Sequence, residues 1–377
     1  MYGLALAGGG SRGSYELGVY KALLELEIPI GAIIGTSIGA INAAAFLMDD
    51  LDKFEKIWKN ADKDSIIDVK DIDLQKIIKQ RGFDNKSIMN LLKEVLDEKT
   101  IRDNPIDLGI VTYNVSKLEP VVLFKENIPE GYLIDYIAAS ANHPTLERLK
   151  IDGDKFIDGA VYDNIPVKPL FEKGYEDIIA VDLGTITTRF RDITGPFNLI
   201  EIKHNGDLGS TLFPDPRTNK RNIEFGYLDT LKAFGKIHGH FYYFENLNFG
   251  PLLNSPTAKE IAKIENSSST LFINRTLEPY KVNLGESYSL SIAALEITSE
   301  FIGIDNVSIF KNPNELLNLV LESINPKNVK NGYKNVKNFV LTKNLNTSAI
   351  EALSIANPKA AIANIFLKVI QKRLLGV

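Results

Sequence analysis

The segment LALAGGGSRGSYELGVYKAL, residues 4–23, decides the fold class of this chain. Its first residues form an apolar run typical of a buried strand, and a group of glycines ends that run. From Ser14 onward, apolar residues recur at spacings of three and four, which predicts a helix. A strand that enters a helix through a glycine-rich turn indicates an α/β fold with a mainly parallel sheet.

The glycine spacing in this turn raises the question of a nucleotide site. Gly8, Gly10 and Gly13 fit the G-x-G-x-x-G spacing of dinucleotide-binding turns. Such a site also needs an acidic residue at the end of the second strand, roughly 20 residues further on, for the ribose hydroxyls. The second predicted strand ends at Ile34 and no acid follows it directly. A P-loop is excluded as well, because no Lys-Ser or Lys-Thr pair follows the last glycine.

The second strand is followed instead by GTSIG, residues 35–39, a G-x-S-x-G sequence. This sequence is typical of a nucleophile elbow. In a nucleophile elbow the serine lies on a sharp turn between strand and helix, with its hydroxyl exposed at the carboxyl edge of the sheet. Gly35 and Gly39 are small because neighbouring backbone crowds the turn. The position of the motif, between an apolar strand and a small-residue helix, predicts that Ser37 is a nucleophile.

The elbow gives the first turn, which we call the glycine loop (Gly8 to Gly13), a second possible use. Both turns follow parallel strands, so both emerge at the same edge of the sheet. The amides of Gly9, Gly10 and Ser11 can then point at the oxyanion that forms when Ser37 attacks a carbonyl group. The sequence therefore favours an oxyanion hole over a nucleotide site.

A nucleophilic serine needs a base, and the sequence offers an acid rather than a histidine. The histidines lie in no recognisable triad context, and no H-E-x-x-H motif or carboxylate cluster accompanies them, so neither a metal site nor a cofactor is predicted. The best candidate is Asp158 in FIDGAVYDNIPV, which follows an apolar strand end and precedes Gly159. An ordinary Asp-Gly turn remains an equal alternative at this position. The histidines are His143, His204, His238 and His240.

The motifs GGGSRG, GTSIG and DGA, in this order, resemble the pattern of the bacterial patatin-like phospholipases. The resemblance covers roughly residues 1–205 and only loosely the remainder. It implies a three-layer α/β/α core and a Ser–Asp dyad without histidine, with Ser37 as the nucleophile and Asp158 as the general base. It also implies hydrolysis of acyl ester bonds in lipids by a phospholipase A or lysophospholipase. An acyl thioesterase or acyltransferase, or an inactive lipid-binding protein, remains an alternative.

The same resemblance extends to the residues around the dyad. Arg12 matches a basic residue that some members place near a lipid phosphate, and a salt bridge that braces the loop is an equal alternative. Many relatives carry Asp where this chain has Ala7, a difference that leaves the backbone donors intact. The implied oxyanion loop consists of Gly8, Gly9, Gly10, Ser11 and Gly13, and the implied elbow glycines are Gly35 and Gly39.

Composition along the chain predicts three parts. Residues 1–205 form the catalytic α/β domain, residues 206–250 an aromatic-rich connection, and residues 251–377 a mostly helical extension. The aromatic side chains of residues 213–249 can wall an acyl-chain pocket, touch a bilayer or pack between the core and the helical extension.

Charge and hydropathy limit which partners and which cellular location are expected. A net charge of −5 argues against a nucleic-acid partner, and the chain has no cysteine for disulfides or thiolate metal sites. No basic leader of a signal peptide precedes the first strand. The uncharged stretch 28–48 contains Pro29 and several polar residues, so it predicts a strand and a helix rather than a membrane span. We expect a cytoplasmic protein with a lipid substrate; peripheral membrane contact and oligomeric state remain open.

Overall fold

The computed structural model describes residues 1–48, 50–61, 85–185, 194–248, 275–280, 290–324 and 356–374. The chain divides into two units, Met1–Ala233 and Phe234–Val377. The three-part division expected from composition stays a prediction.

The first unit is a mixed α/β structure around one eight-stranded sheet. Its strands are β1 (Tyr2–Leu6), β2 (Ile30–Thr36), β3 (Asp107–Asn114), β4 (Glu119–Phe124), β5 (Leu149–Ile151), β6 (Asp154–Asp158), β7 (Asp177–Asp182) and β8 (Asn198–Lys203). Its described helices are α1 (Ser14–Glu25), α2 (Ile38–Phe46), α3 (Leu51–Asn60), α4 (Asn85–Val95), α5 (Glu98–Asp103), α6 (Leu133–Ser140), α7 (Val167–Glu172) and α8 (Pro216–Ala233).

The sheet has the order β5-β6-β3-β2-β1-β7-β8, and β4 pairs with β3 outside this path. Strands β3, β2, β1, β7 and β8 are parallel, whereas β4, β5 and β6 form antiparallel pairs. This arrangement confirms the predicted α/β fold with a mainly parallel sheet. The chain leaves β1 towards β2 on one side and later returns to β7 on the other side. Ligands of open α/β sheets bind at such a reversal point, and here the glycine loop follows β1 at that point.

Strands β2 and β6 lie end to end along the same edge of β3 and run towards each other. The parallel strand β2 ends with Thr36 opposite Val111. The antiparallel strand β6 ends with Asp158 opposite Thr112, the next residue of β3. Strand β4 covers the other edge of the same residues. The sheet therefore brings the carboxyl end of β2 and the carboxyl end of β6 together.

The sequence LKIDGDKFIDGAV, residues 149–161, predicts a hairpin with Asp152-Gly153 as its turn. Strands β5 and β6 pair antiparallel with Ile151 opposite Asp154. Asp152 has a φ of 50° and Gly153 a φ of 88°, the positive values that a two-residue hairpin turn of type I′ requires. The prediction of a hairpin with an Asp-Gly turn is confirmed.

Helix α1 is covered on more faces than an amphipathic pattern suggests, because α8 packs closely on it. A Cβ atom on Gly18 would lie 1.8 Å from the carbonyl oxygen of Ile223. A Cβ atom on Gly226 would lie 2.0 Å from the carbonyl oxygen of Tyr15. The two glycines therefore allow the backbones of the two helices to touch, and the residues of α1 from Ser14 to Tyr20 are buried.

The described part of the second unit is mostly helical, as predicted for the C-terminal region. Its elements are β9 (Tyr243–Phe244), α9 (Leu290–Ile302), β10 (Ile309–Phe310), α10 (Pro313–Ile324) and α11 (Pro358–Leu374), with a further helical turn over residues 275–280. Strands β9 and β10 form a parallel pair.

The aromatic run FYYF of this unit is anchored by a buried acid. The carboxylate of Glu296, on α9, accepts hydrogen bonds from the backbone amides of His240, Phe241 and Tyr242, at 3.1, 2.7 and 3.4 Å. Tyr242 and Phe244 are fully buried in an apolar cluster formed with α9, α10 and α11. These two side chains therefore pack within the second unit.

Among the described residues, no helix combines the length and the apolar character that crossing a bilayer requires. The cytoplasmic location stays a prediction.

Candidate functional site

Ser37 lies in a strained turn between β2 and α2. Its φ of 57° and ψ of −123° are unfavourable for a residue with a side chain, and they project the hydroxyl away from the strand. A Cβ atom on Gly35 would lie 2.2 Å from the carbonyl carbon of Gly39, and one on Gly39 would lie 2.5 Å from the carbonyl oxygen of Leu6. Both elbow glycines are therefore required by close backbone contacts, as the motif predicts.

The strained turn is held by a residue that the sequence analysis did not identify. The amide of Ser37 donates to the hydroxyl of Ser140 at 2.9 Å, and that hydroxyl donates to the carbonyl of Val111 at 2.6 Å. Ser140 is the last residue of α6 and is fully buried. The only local signal for it is the small-residue run AASAN at the end of that helix.

The hydroxyl of Ser37 donates to Oδ2 of Asp158 at 2.6 Å, although the two residues are 121 positions apart in the chain. The other oxygen, Oδ1, accepts the amide of Ala160 at 2.8 Å. Asp158 is only 6% exposed, and this burial raises the pKa of its carboxyl group. The hydrogen bonds from Ser37 and Ala160 oppose that rise in pKa. The carboxylate is thus desolvated, fixed in orientation and in contact with the hydroxyl.

Gly159 explains how the backbone can turn directly after this carboxylate. A Cβ atom at this position would lie 2.2 Å from the carbonyl oxygen of Val111, so a side chain has no room. The amide of Asp158 donates to the carbonyl of Asn142 at 2.8 Å, which ties the end of β6 to the segment after α6. The carboxylate of Asp158 is therefore buried against Ser37 rather than exposed in a turn, and its role as the general base stays a prediction.

No histidine in the described ranges is hydrogen-bonded to Ser37 or Asp158. His143 contacts the hydroxyl of Thr145 at 2.8 Å, and His204 contacts the carboxylate of Asp229 at 3.0 Å. The described residues also contain no group of three or more His, Cys, Asp or Glu side chains that could hold a metal ion.

The glycine loop lies directly over Ser37. A Cβ atom on Gly8 would lie 3.2 Å from the Cβ atom of Ser37 and 2.5 Å from the side-chain oxygen of Asn164. Gly8 donates its amide to the carbonyl of Asn164 at 3.1 Å and accepts the side-chain amide of Asn164 at 3.1 Å. Asn164 therefore holds the start of the loop in place over the hydroxyl.

The amides of the loop differ in whether they are free to bind a substrate. The amide of Gly8 donates to the carbonyl of Asn164, and that of Ser11 donates to the carbonyl of Thr211 at 3.0 Å. The amides of Gly9 and Gly10 have no acceptor in the described part of the chain. Gly10 has a φ of 56°, and a Cβ atom there would lie 2.0 Å from the carbonyl oxygen of Thr211. The free donors of the loop are therefore those of Gly9 and Gly10.

The side chain of Arg12 braces the loop against neighbouring backbone carbonyls. Its Nε donates to the carbonyl of Gly209 at 2.8 Å, and Nη1 donates to the carbonyls of Leu183 and Gly184 at 3.1 and 2.9 Å. Nη2 lies 3.8 Å from the exposed carboxylate of Asp207. These contacts correspond to the bracing alternative, and contact with a lipid phosphate stays a prediction.

Gly13, the last glycine of the loop, packs behind the elbow. A Cβ atom on it would lie 2.5 Å from Cγ1 of Ile38 and 3.0 Å from the side-chain nitrogen of Asn42, both on α2. The absence of a side chain at Gly13 therefore allows the loop to contact the helix after Ser37 closely.

Residues 4–171 match the family model described as patatin-like phospholipase. Among curated proteins, the chain is 32% identical over 198 residues to "Lysophospholipase nte1" of Aspergillus terreus, which covers 49% of this chain and 12% of that protein. It is 31% identical over 193 residues to "Lysophospholipase NTE1" of Kluyveromyces lactis, covering 50% of this chain and 13% of that protein. The chain thus corresponds to a small part of these relatives.

Among solved structures, VipD from Legionella pneumophila is similar over 98% of this chain and 91% of that chain, with 16% identity and a TM-score of 0.40. A likeness at this level carries no functional information. The family match includes the glycine loop, the elbow and the Asp158-Gly159 sequence, so residues 4–171 of this chain form a patatin-like phospholipase domain.

Proposed function

We propose that the protein is a lipid acyl hydrolase that cleaves carboxylic ester bonds through an acyl-enzyme on Ser37. The observation that carries this proposal is the 2.6 Å hydrogen bond from the Ser37 hydroxyl to a buried carboxylate, beneath the glycine loop. A phospholipid or lysophospholipid is the substrate class that fits the domain family and the relatives named above.

In the first half of the reaction, Asp158 is the general base. It accepts the hydroxyl proton of Ser37 while Oγ attacks the carbonyl carbon of the ester. The amides of Gly9 and Gly10 donate to the oxyanion that results. When the tetrahedral intermediate collapses, the proton on Asp158 passes to the oxygen of the leaving alcohol, and the acyl group remains on Ser37.

In the second half, water takes the place of the alcohol. Asp158 accepts a proton from this water as the water oxygen attacks the acyl carbon, and the same loop amides hold the second oxyanion. Collapse returns the proton to Ser37 and releases the fatty acid. A carboxylate is a weak base in bulk water, and the burial that raises the pKa of Asp158 makes it more effective here.

The loop is already braced before substrate arrives, which favours this use of its amides. Asn164 and Thr211 bind its backbone, and the side chain of Arg12 ties it to the carbonyl of Gly209. Preorganised donors are worth about 3 kcal/mol each in comparable acyl-transfer sites, because no reorganisation is needed during the reaction.

We further propose that the rim of this site touches the lipid surface. Leu212 and Phe213 are 63% and 64% exposed, and they directly follow Thr211, whose carbonyl binds the loop. Exposed apolar side chains beside a lipid site are suited to enter the interface of a membrane. Flotation with phosphatidylcholine vesicles should show weaker binding for the Leu212→Ser/Phe213→Ser variant. Binding equal to that of the unchanged protein would refute this contact.

A fluorophosphonate probe tests the hydrolase proposal directly, because it forms a covalent bond only with an activated serine. We expect labelling of the protein and none of Ser37→Ala. Ser116→Ala is a matched control, since this serine accepts a backbone amide far along the chain from the elbow and should leave labelling unchanged. Mass spectrometry of a digested lipid extract then reports the bond that is cut. Labelling that persists in Ser37→Ala, or a labelled protein that releases no fatty acid from any lipid, would contradict the proposal.

A further inference from the structure

Glu16 is a fully buried acidic residue on α1, at the base of the glycine loop. Its burial raises the pKa of its carboxyl group well above the ordinary value, and the hydrogen bond from Asn42 and the backbone amide of Ala7 offset only part of this rise. The reaction proposed above makes no use of this acid. A buried acid that is not part of the chemistry requires another explanation.

The partner of Glu16 is the buried side chain of Asn42, on the helix that starts directly after Ser37. Its nitrogen Nδ2 donates to Oε2 of Glu16 at 2.6 Å and to the carbonyl of Gly13 at 2.9 Å. Asn42 therefore connects three elements, namely α1, the end of the glycine loop and α2. Two of these carry the groups that act on the substrate.

Two oxygen atoms of this pair remain without a partner among the described residues. They are Oε1 of Glu16 and Oδ1 of Asn42, and both are buried. Both would be acceptors if the carboxyl group were ionised, and buried acceptors without donors are rare. A proton on the carboxyl group supplies a donor, so that one hydrogen bond can satisfy both atoms.

We propose that Glu16 and Asn42 form a neutral carboxylic acid–carboxamide pair with two hydrogen bonds, which holds the glycine loop against the helix behind Ser37. In one bond Nδ2 of Asn42 donates to Oε2 of Glu16, and in the other Oε1 of Glu16 donates to Oδ1 of Asn42. Glu16 is then a positioning residue that acts through the loop and the elbow.

Infrared difference spectroscopy tests the pair without any reference to activity. The spectrum of the unchanged protein minus that of Glu16→Gln, at neutral pH, should contain the carbonyl band of a protonated carboxylic acid. Bands of a carboxylate at this position would overturn the proposal. Since the measurement needs no substrate, it remains decisive even if the protein proves not to be a hydrolase.

Kinetics test the positioning role, which rests on the proposed function. Glu16→Gln preserves both hydrogen bonds, because the amide of glutamine donates to Oδ1 and its oxygen accepts from Nδ2. We expect it to react with the fluorophosphonate probe within about threefold of the rate of the unchanged protein. Glu16→Leu keeps the volume but removes the pair, and should react at least about tenfold more slowly, with kcat reduced and KM for a soluble ester unchanged.

The two variants are compared only after circular dichroism shows that each is folded. A folded Glu16→Leu that reacts at the original rate would show that the pair does not position the site. A folded Glu16→Gln that is as slow as Glu16→Leu would show that the charge of a carboxylate is needed, and would also overturn the proposal. If Glu16→Leu does not fold, the rate of Glu16→Gln and its infrared spectrum still decide.

Discussion

Replacing Asp158 by asparagine should separate the chemistry of this site from its stability. The amide keeps the size of the side chain, and its oxygen can still accept the amide of Ala160, which now lies 2.8 Å from Oδ1. What is lost is the proton acceptor that lies 2.6 Å from the Ser37 hydroxyl. General base catalysis contributes about 10²- to 10⁴-fold in rate, so we expect kcat to fall about 10³-fold, or about 4 kcal/mol in activation free energy.

The same change should not reduce stability at neutral pH. The pKa of Asp158 is raised in the folded protein above its ordinary value of 3.8, chiefly by burial. The folded state therefore binds this proton more tightly than the unfolded state, so losing the proton costs more free energy in the folded protein. Relative to Asp158→Asn, the unchanged protein should lose stability as the pH rises from about 3.8 through the folded-state pKa, with no further change above it. Asp158→Asn should therefore be at least as stable at neutral pH.

Asp154→Asn, on the same strand, is the matched control. The carboxylate of Asp154 is half-buried and bonded to Lys117, which lowers its pKa. Its contribution to stability is therefore present at neutral pH and is lost as the pH falls through that lowered pKa. We expect Asp154→Asn to keep full activity and to lose a little stability. Ester hydrolysis and urea denaturation across pH measure both quantities. Asp158→Asn with activity within tenfold of the original, or with clearly lower stability at neutral pH, would refute this reasoning.

Two further changes test how the site and its scaffold are held. Ser140→Ala removes the hydroxyl that accepts the Ser37 amide, and it should lower kcat about tenfold with KM unchanged, as single-turnover labelling can measure. Unchanged kcat would show that the turn at Ser37 keeps its conformation without this hydrogen bond. Gly18→Ala places a methyl group 1.8 Å from the carbonyl oxygen of Ile223 and should cost about 1–3 kcal/mol or more in urea denaturation, whereas Leu24→Ala, at an exposed position of the same helix, should cost little. Equal stability of the two variants would contradict the close helix contact.

The elements around the nucleophile could be predicted because each carries a local requirement. Apolar runs indicated β1 and β2, and the glycines at 35 and 39 indicated a turn that crowds its neighbours. The rule that parallel strands end at one sheet edge then placed the glycine loop beside Ser37 without any coordinates. Asp152-Gly153 indicated the hairpin in the same way, since its turn type needs positive φ values.

The long-range contacts could not be predicted from the residues alone. Whether Asp158 faced Ser37 or stood in an exposed turn depended on the pairing of β6 with β3, which local sequence does not determine. The two alternatives for Arg12 likewise differed only in which distant carbonyls lay near its guanidinium. Glu16 was not recognised, because its partner Asn42 lies on α2, 26 residues further along the chain, and helical spacing does not reveal that contact.

Strands β2 and β6 pair with the same edge of β3. The contact between Ser37 and Asp158 therefore depends on the register in which these strands pair with β3. Ser37 follows the last residue of β2, and Asp158 is the last residue of β6, with pairing partners that are adjacent on β3. A shift of β6 by one residue would turn its side chains to the opposite face of the sheet and remove the carboxylate from the hydroxyl. The length of the hairpin turn before β6 has no such effect, because it lies at the other end of the strand. The distance between nucleophile and base is therefore set by backbone hydrogen bonds in the interior of the sheet, which explains how groups 121 residues apart can meet at 2.6 Å.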